Sequence, residues 1–406
     1  MNQTKIVEVI VKQDIDIDLA TLDGKTALML ACDEVHTDIA EILLKHQAYV
    51  NKCDNSGLTA LMIACEKGTL SNIKLLLDYK ADMNMKSNDG LSAFEIACFT
   101  GNYEIVDYLV SQKSYKPLEN DIRALLDGTH TNEKEMIQRV CTGGYESLFN
   151  ILIEREDEID AADGDGNSLL MLPSRGGHDG IIENLLTRGA NINHKNQNGQ
   201  TALRMVCNGC LARTVKILLR NDAHPNQTDE EGRTPLTIVS QGGCLDVVEM
   251  LIQHDADINL GDRKGTTALM LTVKLGQYDT AEYLITKGAD VSKCDNEGLN
   301  SLMVACQNGH IAIVRLIVKK IDLNSSDNDG LTPLRFACDS GHNEIVDFLI
   351  QNKAEVDKAD SRCSTPLKSS CAKGEISTVA LLLEKGAEVN KQRWVDSSYV
   401  CLSKWL

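Results

Sequence analysis

The stretch Gly24–Cys32, GKTALMLAC, decides the fold because it returns along the chain at a fixed interval. It recurs as GLTALMIAC at Gly57–Cys65 and as GLSAFEIAC at Gly90–Cys98, each copy 33 residues after the last. Further copies begin at Gly166, Gly199, Gly232, Gly265, Gly298, Gly330 and Cys363. A fixed period of about 20 to 50 residues is typical of a solenoid of stacked units, not of a single globular core.

The residue types within each copy predict two short helices. A threonine such as Thr26 or Thr59 precedes the first apolar run, where a helix N-cap is expected. In three copies proline follows the threonine, at Pro235, Pro333 and Pro366, and proline suits the first helical residue. The second run, such as Asp38–Lys45 (DIAEILLK), has apolar residues at helical spacing. One unit is therefore predicted to be two helices and a projecting loop, which bury a core only by stacking.

These features resemble the ankyrin repeat family, whose period is 33 residues and whose signature is T-P-L-H-x-A. Gly-His pairs such as Gly309-His310, and closing phrases such as KGADVSKCDNEG, match the rest of that unit. Methionine replaces the signature histidine at Met29, Met62, Met171, Met270 and Met303. The resemblance covers nearly the whole chain. It implies an all-α ankyrin-repeat solenoid of stacked helix-turn-helix units with projecting β-hairpin loops.

The array is irregular in its middle. Gly90 and Gly166 are 76 residues apart, two periods plus ten, so we expect an insertion that loops out around Ser114–Asn132. Pro173 falls inside the next predicted first helix, where a proline costs about 3 kcal/mol. The repeats on either side then stack as separate cooperative blocks, unless the degenerate unit still joins them.

We accordingly predict three regions: N-terminal repeats with a partial first unit at 1–113, degenerate repeats with an insertion at 114–176, and C-terminal repeats ending in a partial unit at 177–406. Residues 1–20 resemble the second half of a unit, and Asp396–Leu406 resembles a first helix alone. We expect either that the natural protein is longer or that this terminus docks on another surface.

The composition excludes several classes of function. The chain is 43% hydrophobic but 4% aromatic, and its net charge of −18 argues against nucleic acid and against anionic membrane surfaces. No apolar run approaches the length of a membrane span, and the N-terminus carries Lys12 and a run of Asp where a secretory signal needs an apolar core. We expect a monomer without membrane insertion, located in the reducing cytoplasm, with the nucleus as the alternative.

The 14 cysteines mark the repeat and do not indicate a disulfide framework. Eight of them end the first helices: Cys32, Cys65, Cys98, Cys141, Cys207, Cys306, Cys338 and Cys371. Ser174, Ser240 and Val273 hold the same place in other copies, so we expect a small core residue there, not a disulfide or a metal ligand. Cys207 and Cys210 have the spacing of a redox motif, but the βαβ setting of that motif is missing, so no redox role is expected.

No catalytic residue, cofactor or metal site is predicted, and we expect that the chain is not an enzyme. Asp163, Asp165 and Asn167 imitate the start of an EF-hand loop, but Ser168 and Ser174 stand where that loop needs Gly and Glu. The nine His have no zinc spacing, and those in Gly-His pairs are expected to support the start of the second helix. No nucleophile elbow, Walker A sequence or Rossmann glycine run occurs in a strand-to-helix context.

By resemblance, the recognition positions flank the loop glycine and follow the core cysteine, on the concave face. The corresponding residues are Leu58, Glu66, Lys67, Leu91, Phe99, Arg263, Lys264, Lys274, Leu299, Gln307, Leu331 and Asp339. The leucines are expected to form two exposed apolar pairs, unless they pack on neighbouring loops. A further set, Asn51, Asn84, Asn193, Asn259 and Asn390, resembles substrates of asparagine hydroxylation. We expect these asparagines to bond the turn backbone.

The prediction is thus a non-catalytic intracellular scaffold or adaptor that binds partner proteins through the concave face of its repeat array. The alternative is that the chain is the ankyrin-repeat region of a larger signalling or ubiquitin-ligase adaptor, whose effector domain lies outside this sequence. The partner itself is not predictable, because repeat scaffolds bind through variable positions.

Overall fold

The computed structural model describes residues 2–13, 15–112, 133–155 and 159–389. The expected insertion at Ser114–Asn132 and the partial unit at Asp396–Leu406 lie outside these ranges. The chain forms two compact units, Met1–Ile159 and Asp160–Leu406. The three predicted regions and the separate unfolding of two blocks stay predictions.

The first unit consists of paired helices. They are α1 (Asn2–Ile10), α2 (Ala27–Asp33), α3 (Thr37–Lys45), α4 (Ala60–Glu66), α5 (Leu70–Asp78), α6 (Ala93–Phe99), α7 (Tyr103–Ser111), α8 (Glu133–Gly143) and α9 (Glu146–Leu152). First helices pack on first helices, α2 on α4 and α4 on α6, while second helices pack together, as α3 does on α5. Helices α8 and α9 contact each other, so the degenerate repeat also forms a pair.

The second unit also consists of two rows of helices. They are α10 (Met171–Gly176), α11 (Asp179–Thr187), α12 (Ala202–Asn208), α13 (Ala212–Arg220), α14 (Pro235–Gly242), α15 (Leu245–Gln253), α16 (Ala268–Lys274), α17 (Tyr278–Thr286), α18 (Ser301–Asn308), α19 (Ile311–Ile317), α20 (Pro333–Asp339), α21 (Asn343–Gln351), α22 (Pro366–Lys373) and α23 (Ile376–Glu384). The even-numbered helices from α10 to α22 are the first helices, and each packs on the next. The odd-numbered helices from α11 to α23 are the second helices, and they form the other row.

Hairpin loops join the repeats without forming strands. Among the described residues the loops contain two isolated antiparallel bridges, Cys53 with Thr59 and Ala162 with Ser168, and no named strand. The expected all-α solenoid of helix pairs with projecting loops is confirmed. No helix in the described ranges has both the length and the apolar character needed to cross a bilayer.

The predicted helix starts are confirmed by their caps. The side chains of Thr26, Thr59, Thr201, Thr234, Thr267 and Thr332 each accept a hydrogen bond from the backbone N–H three residues on. In three copies a reciprocal bond exists, because the threonine N–H donates to the sulfur of Met29, Met62 or Met270 at 3.4, 3.5 and 3.5 Å. These methionines therefore complete capping boxes, with sulfur as a weak acceptor.

The cysteines that end the first helices lie in the core, as predicted. Cys32, Cys65, Cys98, Cys141, Cys207, Cys306 and Cys338 are buried, and Cys371 is half-buried. Burial raises the pKa of both Cys32 and Cys141 to about 12. These thiols stay protonated at neutral pH, so they act as small apolar groups.

Pro173 does not break its helix, contrary to the expectation from the sequence. Helix α10 begins at Met171, and Leu170 is its N-cap, so Pro173 lies in the first turn. The backbone N–H groups of that turn have no helical partner, and a missing one costs little there. The Met171 N–H donates to the carbonyl of Ser168 at 3.0 Å. The helix therefore starts late and accommodates the proline.

One buried side chain in the first unit is poorly matched to its surroundings. Asn72, the third residue of α5, is fully buried, and neither its amide nitrogen nor its amide oxygen has a hydrogen-bond partner. The third residue of the other second helices of this length is apolar or threonine: Ile39, Ile105, Ile181, Thr214, Val247, Thr280, Ile345 and Thr378. A buried amide without partners is destabilising.

We therefore predict that Asn72→Val raises the free energy of unfolding by about 1–3 kcal/mol, the usual cost of an unpaired buried polar group. Urea unfolding followed by circular dichroism measures the change. Thr214→Val is the matched control, because the hydroxyl of Thr214 donates to Asp179 at 2.6 Å and its loss should lower stability. A less stable Asn72→Val chain would show that the amide is satisfied, for instance by a buried water.

Candidate functional site

Eight of the described loops are each closed by one acidic or amide side chain. Oδ1 of Asp54 accepts hydrogen bonds from the backbone N–H groups of Ser56 and Leu58, at 2.9 and 2.8 Å. The same two bonds are made by Asp163, Asn196, Asp229, Asp262, Asp295, Asp327 and Asp360. This turn chemistry sets the loop shape with no contribution from the side chains at the tip.

Neighbouring loops are joined mainly through the backbone. The Asn88 N–H donates to the carbonyl of Ser56 at 3.0 Å, and the Asn88 amide donates to the carbonyl of Asn55 at 2.9 Å. In the second unit the Asn296 N–H and amide bond the carbonyls of Lys264 and Arg263 at 2.8 and 2.9 Å. Since these bonds use main-chain oxygens, the side chains of Arg263 and Lys264 are not needed for the stacking.

The glycine of the second loop, Gly57, is required by close approach. Gly57 has φ of +79°, and a Cβ atom placed on it would lie 2.7 Å from the backbone nitrogen of Asn88 in the next loop. A side chain is therefore excluded both by the left-handed backbone and by the neighbouring loop. The positions that flank this glycine carry the variation between repeats.

In the first unit the structure separates the predicted recognition residues into two groups. Glu66, Lys67 and Phe99 are exposed, and half of the Phe99 surface is accessible. Leu58 and Leu91 are half-buried, and the backbone N–H of each bonds the side chain that closes its loop, Asp54 and Ser87, respectively. The expected exposed leucine pair is therefore wrong for this unit, and the exposed apolar group is the Phe99 ring.

The same separation occurs in the second unit. Arg263, Lys264, Lys274 and Gln307 are exposed. Leu299 and Leu331 are half-buried, and the backbone N–H of each bonds the aspartate that closes its loop, at 2.9 and 2.7 Å. The second exposed leucine pair is therefore also wrong, because both leucines belong to the loop framework.

Asp339 is committed to bonds within the fold. Its Oδ1 lies 2.8 Å from Nε of Arg335 and accepts from the hydroxyl of Ser369 at 2.6 Å, and Lys373 of the next repeat lies 3.4 Å from Oδ2. Arg335, buried to 8% exposure, also pairs with Asp360 at 3.4 Å. Asp339 thus joins two repeats and is poorly placed to bind a partner.

Leu30, Leu275 and Tyr278 are among the exposed apolar residues that were missed from the sequence. Leu30 and Leu275 are 41% and 49% exposed, and Tyr278 is 38% exposed. Leu275 directly follows Lys274, one of the predicted recognition residues. Including the second residue after the core position in this repeat would have found it. The exposure of Leu30 has no signal in the sequence, because the matching residues Ile63 and Ile96 are buried.

The histidines of the Gly-His pairs contact the preceding repeat. His310 and His342 precede α19 and α21, but neither side chain caps its own helix. Their Nε2 atoms lie 3.2 and 3.3 Å from the carbonyl oxygens of Lys274 and Gln307. The expectation that these histidines support the start of the second helix is therefore corrected: they join repeats.

Asp163 and the closing asparagines have structural bonds. The Asp163 carboxylate accepts from the N–H groups of Asp165 and Asn167, and in the described residues no group of three or more His, Cys, Asp or Glu is placed to hold a metal ion. Oδ1 of Asn51 accepts from the N–H of Asp82 in the next repeat at 2.8 Å, and Asn193 and Asn259 make equivalent bonds. Asn84 bonds Asp82 within its own loop, and Asn390 lies outside the described residues.

Two cysteines outside the core are joined, contrary to the expectation of free thiols. Cys210 and Cys244 form a disulfide with their Cα atoms 6.0 Å apart. Cys207, the other member of the suspected redox motif, is a buried free thiol. The spacing of Cys207 and Cys210 did not indicate this bond, because the partner of Cys210 is Cys244 in the next repeat.

Comparison with known proteins agrees with this architecture. A family model described as Ankyrin repeats (3 copies) matches residues 46–121, 137–229, 202–295, 287–360 and 302–393, and one described as Ankyrin repeat matches residues 23–55. The chain belongs to the ankyrin repeat family. Ankyrin repeats are protein-interaction repeats, which are typically non-catalytic. No curated protein matches the chain.

Lys67, one of the predicted recognition residues of this ankyrin array, also takes part in an ion-pair cluster. Asp33 lies 2.8 Å from Nζ of Lys25 and 2.9 Å from Nζ of Lys67. Hydrogen bonds from Lys25 and Lys67 lower the pKa of Asp33. A carboxyl with a lowered pKa stabilises the fold above its unfolded value of about 3.9, and this contribution is lost as pH falls through the folded value.

We predict that Lys67→Ala moves the pKa of Asp33 back toward its ordinary value, because one of its two cationic partners is removed. Carbon-detected NMR titration of the Asp33 carboxyl measures the shift. Glu66→Gln, a change at the exposed neighbouring position, should leave a lowered pKa in place. An unchanged Asp33 titration in Lys67→Ala would mean that Lys67 is solvated away from Asp33 and free for a partner.

Proposed function

We propose that this chain is a non-catalytic intracellular scaffold that binds partner proteins through the face made of its loop tips and first-helix ends. One observation carries the proposal: neighbouring loops bond to main-chain carbonyls, so their stacking does not need the side chains of Arg263 and Lys264, which are exposed. The residues that flank the loop glycine also vary from repeat to repeat. A preformed surface of this kind binds with little ordering cost.

In the first unit the exposed side chains at the predicted recognition positions are one aromatic ring and two charged groups. Phe99 ends α6, and Glu66 and Lys67 are at the matching end of α4, the first helix that packs on α6. Exposed aromatic residues within a polar rim are what the energetic centre of an interface requires. We assign Phe99 as the anchor for a partner's apolar side chain.

In the second unit three of the exposed side chains at the predicted recognition positions are basic. Arg263 and Lys264 are at the loop tip before α16, and Lys274 ends α16. In a chain with a net charge of −18, these three exposed cations of one repeat, here called the basic cluster, favour an acidic segment of a protein partner. The overall charge disfavours nucleic acid at the same surface, since phosphate binding needs a larger basic face.

A second possibility keeps the same binding mechanism. The array could serve a larger signalling or ubiquitin-ligase adaptor whose effector domain lies outside this sequence. Full-length transcript sequence separates the two, because only the second requires an additional folded domain next to the repeats.

We predict that the triple variant Arg263→Glu, Lys264→Glu, Lys274→Glu loses captured acidic partners at least tenfold, as measured by quantitative mass spectrometry after affinity capture. The matched control is Lys216→Glu, Arg220→Glu, Lys319→Glu, which reverses three exposed charges on second helices and their ends. Proteins lost from the first variant and kept by the control identify the partners. Equal capture by both variants would remove the basic cluster from the binding surface.

For the first unit, Phe99→Ala should reduce capture of its own partner set by about tenfold or more, the usual loss when an interface anchor is truncated. Tyr79→Ala is the control, because Tyr79 is an exposed aromatic at the end of a second helix. Circular dichroism shows that both variants are folded. Equal loss in both variants would contradict the assignment of Phe99.

A further inference from the structure

Most neighbouring repeats of the second unit meet at one small contact beside the first-helix ends. The glycine three residues after the core position lies against the residue that precedes the next repeat's second helix. A Cβ atom added to Gly276 or Gly309 would lie 2.7 Å from the ring of His310 or His342, respectively. Each glycine has positive φ, 71° and 79°. We call this contact the glycine–histidine clasp.

At one pair of repeats both members of the clasp are cysteine. Cys210 holds the glycine place with φ of +54°, and Cys244 holds the histidine place as the N-cap of α15. Their sequence separation of 34 is also that of Gly276 and His310. A cysteine at positive φ is conformationally unfavourable compared with glycine. Here its sulfur is bonded to the second replaced residue, Cys244.

The two cysteines are reachable, whereas the core cysteines are not. Cys210 and Cys244 are half-buried at the surface. The nearest core thiols, Cys207 and Cys306, are buried, and burial raises the pKa of both. Cys244 also stands at the N-terminus of a nine-residue helix, where the helix dipole stabilises a thiolate. Cys210 and Cys244 are thus open to an oxidant, as the exposed Cys294 and Cys363 also are, but only Cys210 and Cys244 are shown paired with each other in the described residues.

We propose that Cys210 and Cys244 form a redox-controlled clasp between the repeat α12–α13 and the repeat α14–α15, closed by a small disulfide such as oxidised glutathione. The Cys244 thiolate attacks one sulfur of the oxidant and displaces a first glutathione thiolate, giving a mixed disulfide. The Cys210 thiolate then attacks the Cys244 sulfur and displaces the second glutathione thiolate. Two thiols are oxidised, one disulfide is reduced, and both thiol protons leave with the two glutathione molecules.

The redox state then sets how firmly the two repeats are held. In the reduced chain this junction has neither a covalent bond nor the histidine-to-carbonyl bond found at His310 and His342. Repeat arrays are coupled through nearest neighbours, so the reduced junction is where the second unit opens most readily. The clasp directly follows Asn208 and Gly209, the local equivalents of recognition positions, so it also borders the proposed binding face.

The test uses the full chain equilibrated in glutathione buffers of defined thiol–disulfide ratio. After alkylation of free thiols, peptide mass spectrometry should find Cys210 linked to Cys244 in oxidising buffer and both alkylated in reducing buffer. Hydrogen exchange of α13 and α14, which the bond encloses, should slow at least tenfold on oxidation. No linked peptide, or equal exchange in both buffers, overturns the proposal.

The double variant Cys210→Gly, Cys244→His is the matched control, because it restores the clasp used by Gly276 with His310. Its exchange should be independent of the glutathione ratio. Cys207→Val, which copies Val273 at the core position, should keep the redox response of the parent chain. A redox response that survives in the double variant would place the sensitive thiol elsewhere, for instance at the exposed Cys294 or Cys363, and one that disappears in Cys207→Val would place it in the core. Either result overturns the assignment.

Discussion

Burial of the first helices against their neighbours is the constraint on which the other features depend. A helix of seven residues is too short to be stable alone. In α4, all residues from Ala60 to Cys65 are buried, so this helix exists only because α2 and α6 cover it. Small residues such as Cys65 are needed where helices approach closely, which explains why thiols recur at one repeat position without any redox or metal chemistry of their own.

The loops solve a second problem, which is how to join repeats without restricting the outer side chains. The side chain that closes a loop, an aspartate in most repeats, bonds backbone N–H groups, and successive loops bond through main-chain carbonyls. The stacking energy therefore depends little on which side chain occupies positions such as Phe99 or Arg263. This separation of framework from surface is the physical basis for proposing a binding scaffold, since one fold can then carry many different recognition surfaces.

The departures from the repeat show how much local variation the stacking tolerates. Methionine sulfur replaces a histidine in three capping boxes, and a late helix start accommodates Pro173. Asn72 is buried without partners and is tolerated because the surrounding repeats supply enough apolar contact. Cys210 and Cys244 differ from these cases, because two departures fall on the two sides of one contact. A paired departure suggests a use, whereas a single one shows tolerance.

The sequence alone determined the period, the caps, the core cysteines and hence the fold, because those features depend on residues within one repeat and recur often enough to be recognised. It also located the exposed positions Phe99, Arg263, Lys264 and Lys274. Only the tertiary structure showed that Leu58 and its equivalents are half-buried, that Asp339 bonds Ser369 of the next repeat, and that Cys210 meets Cys244. The last two contacts join side chains 30 and 34 residues apart, which are brought together by stacking. A pattern within one repeat carries no information on that pairing until the neighbouring repeat is in place.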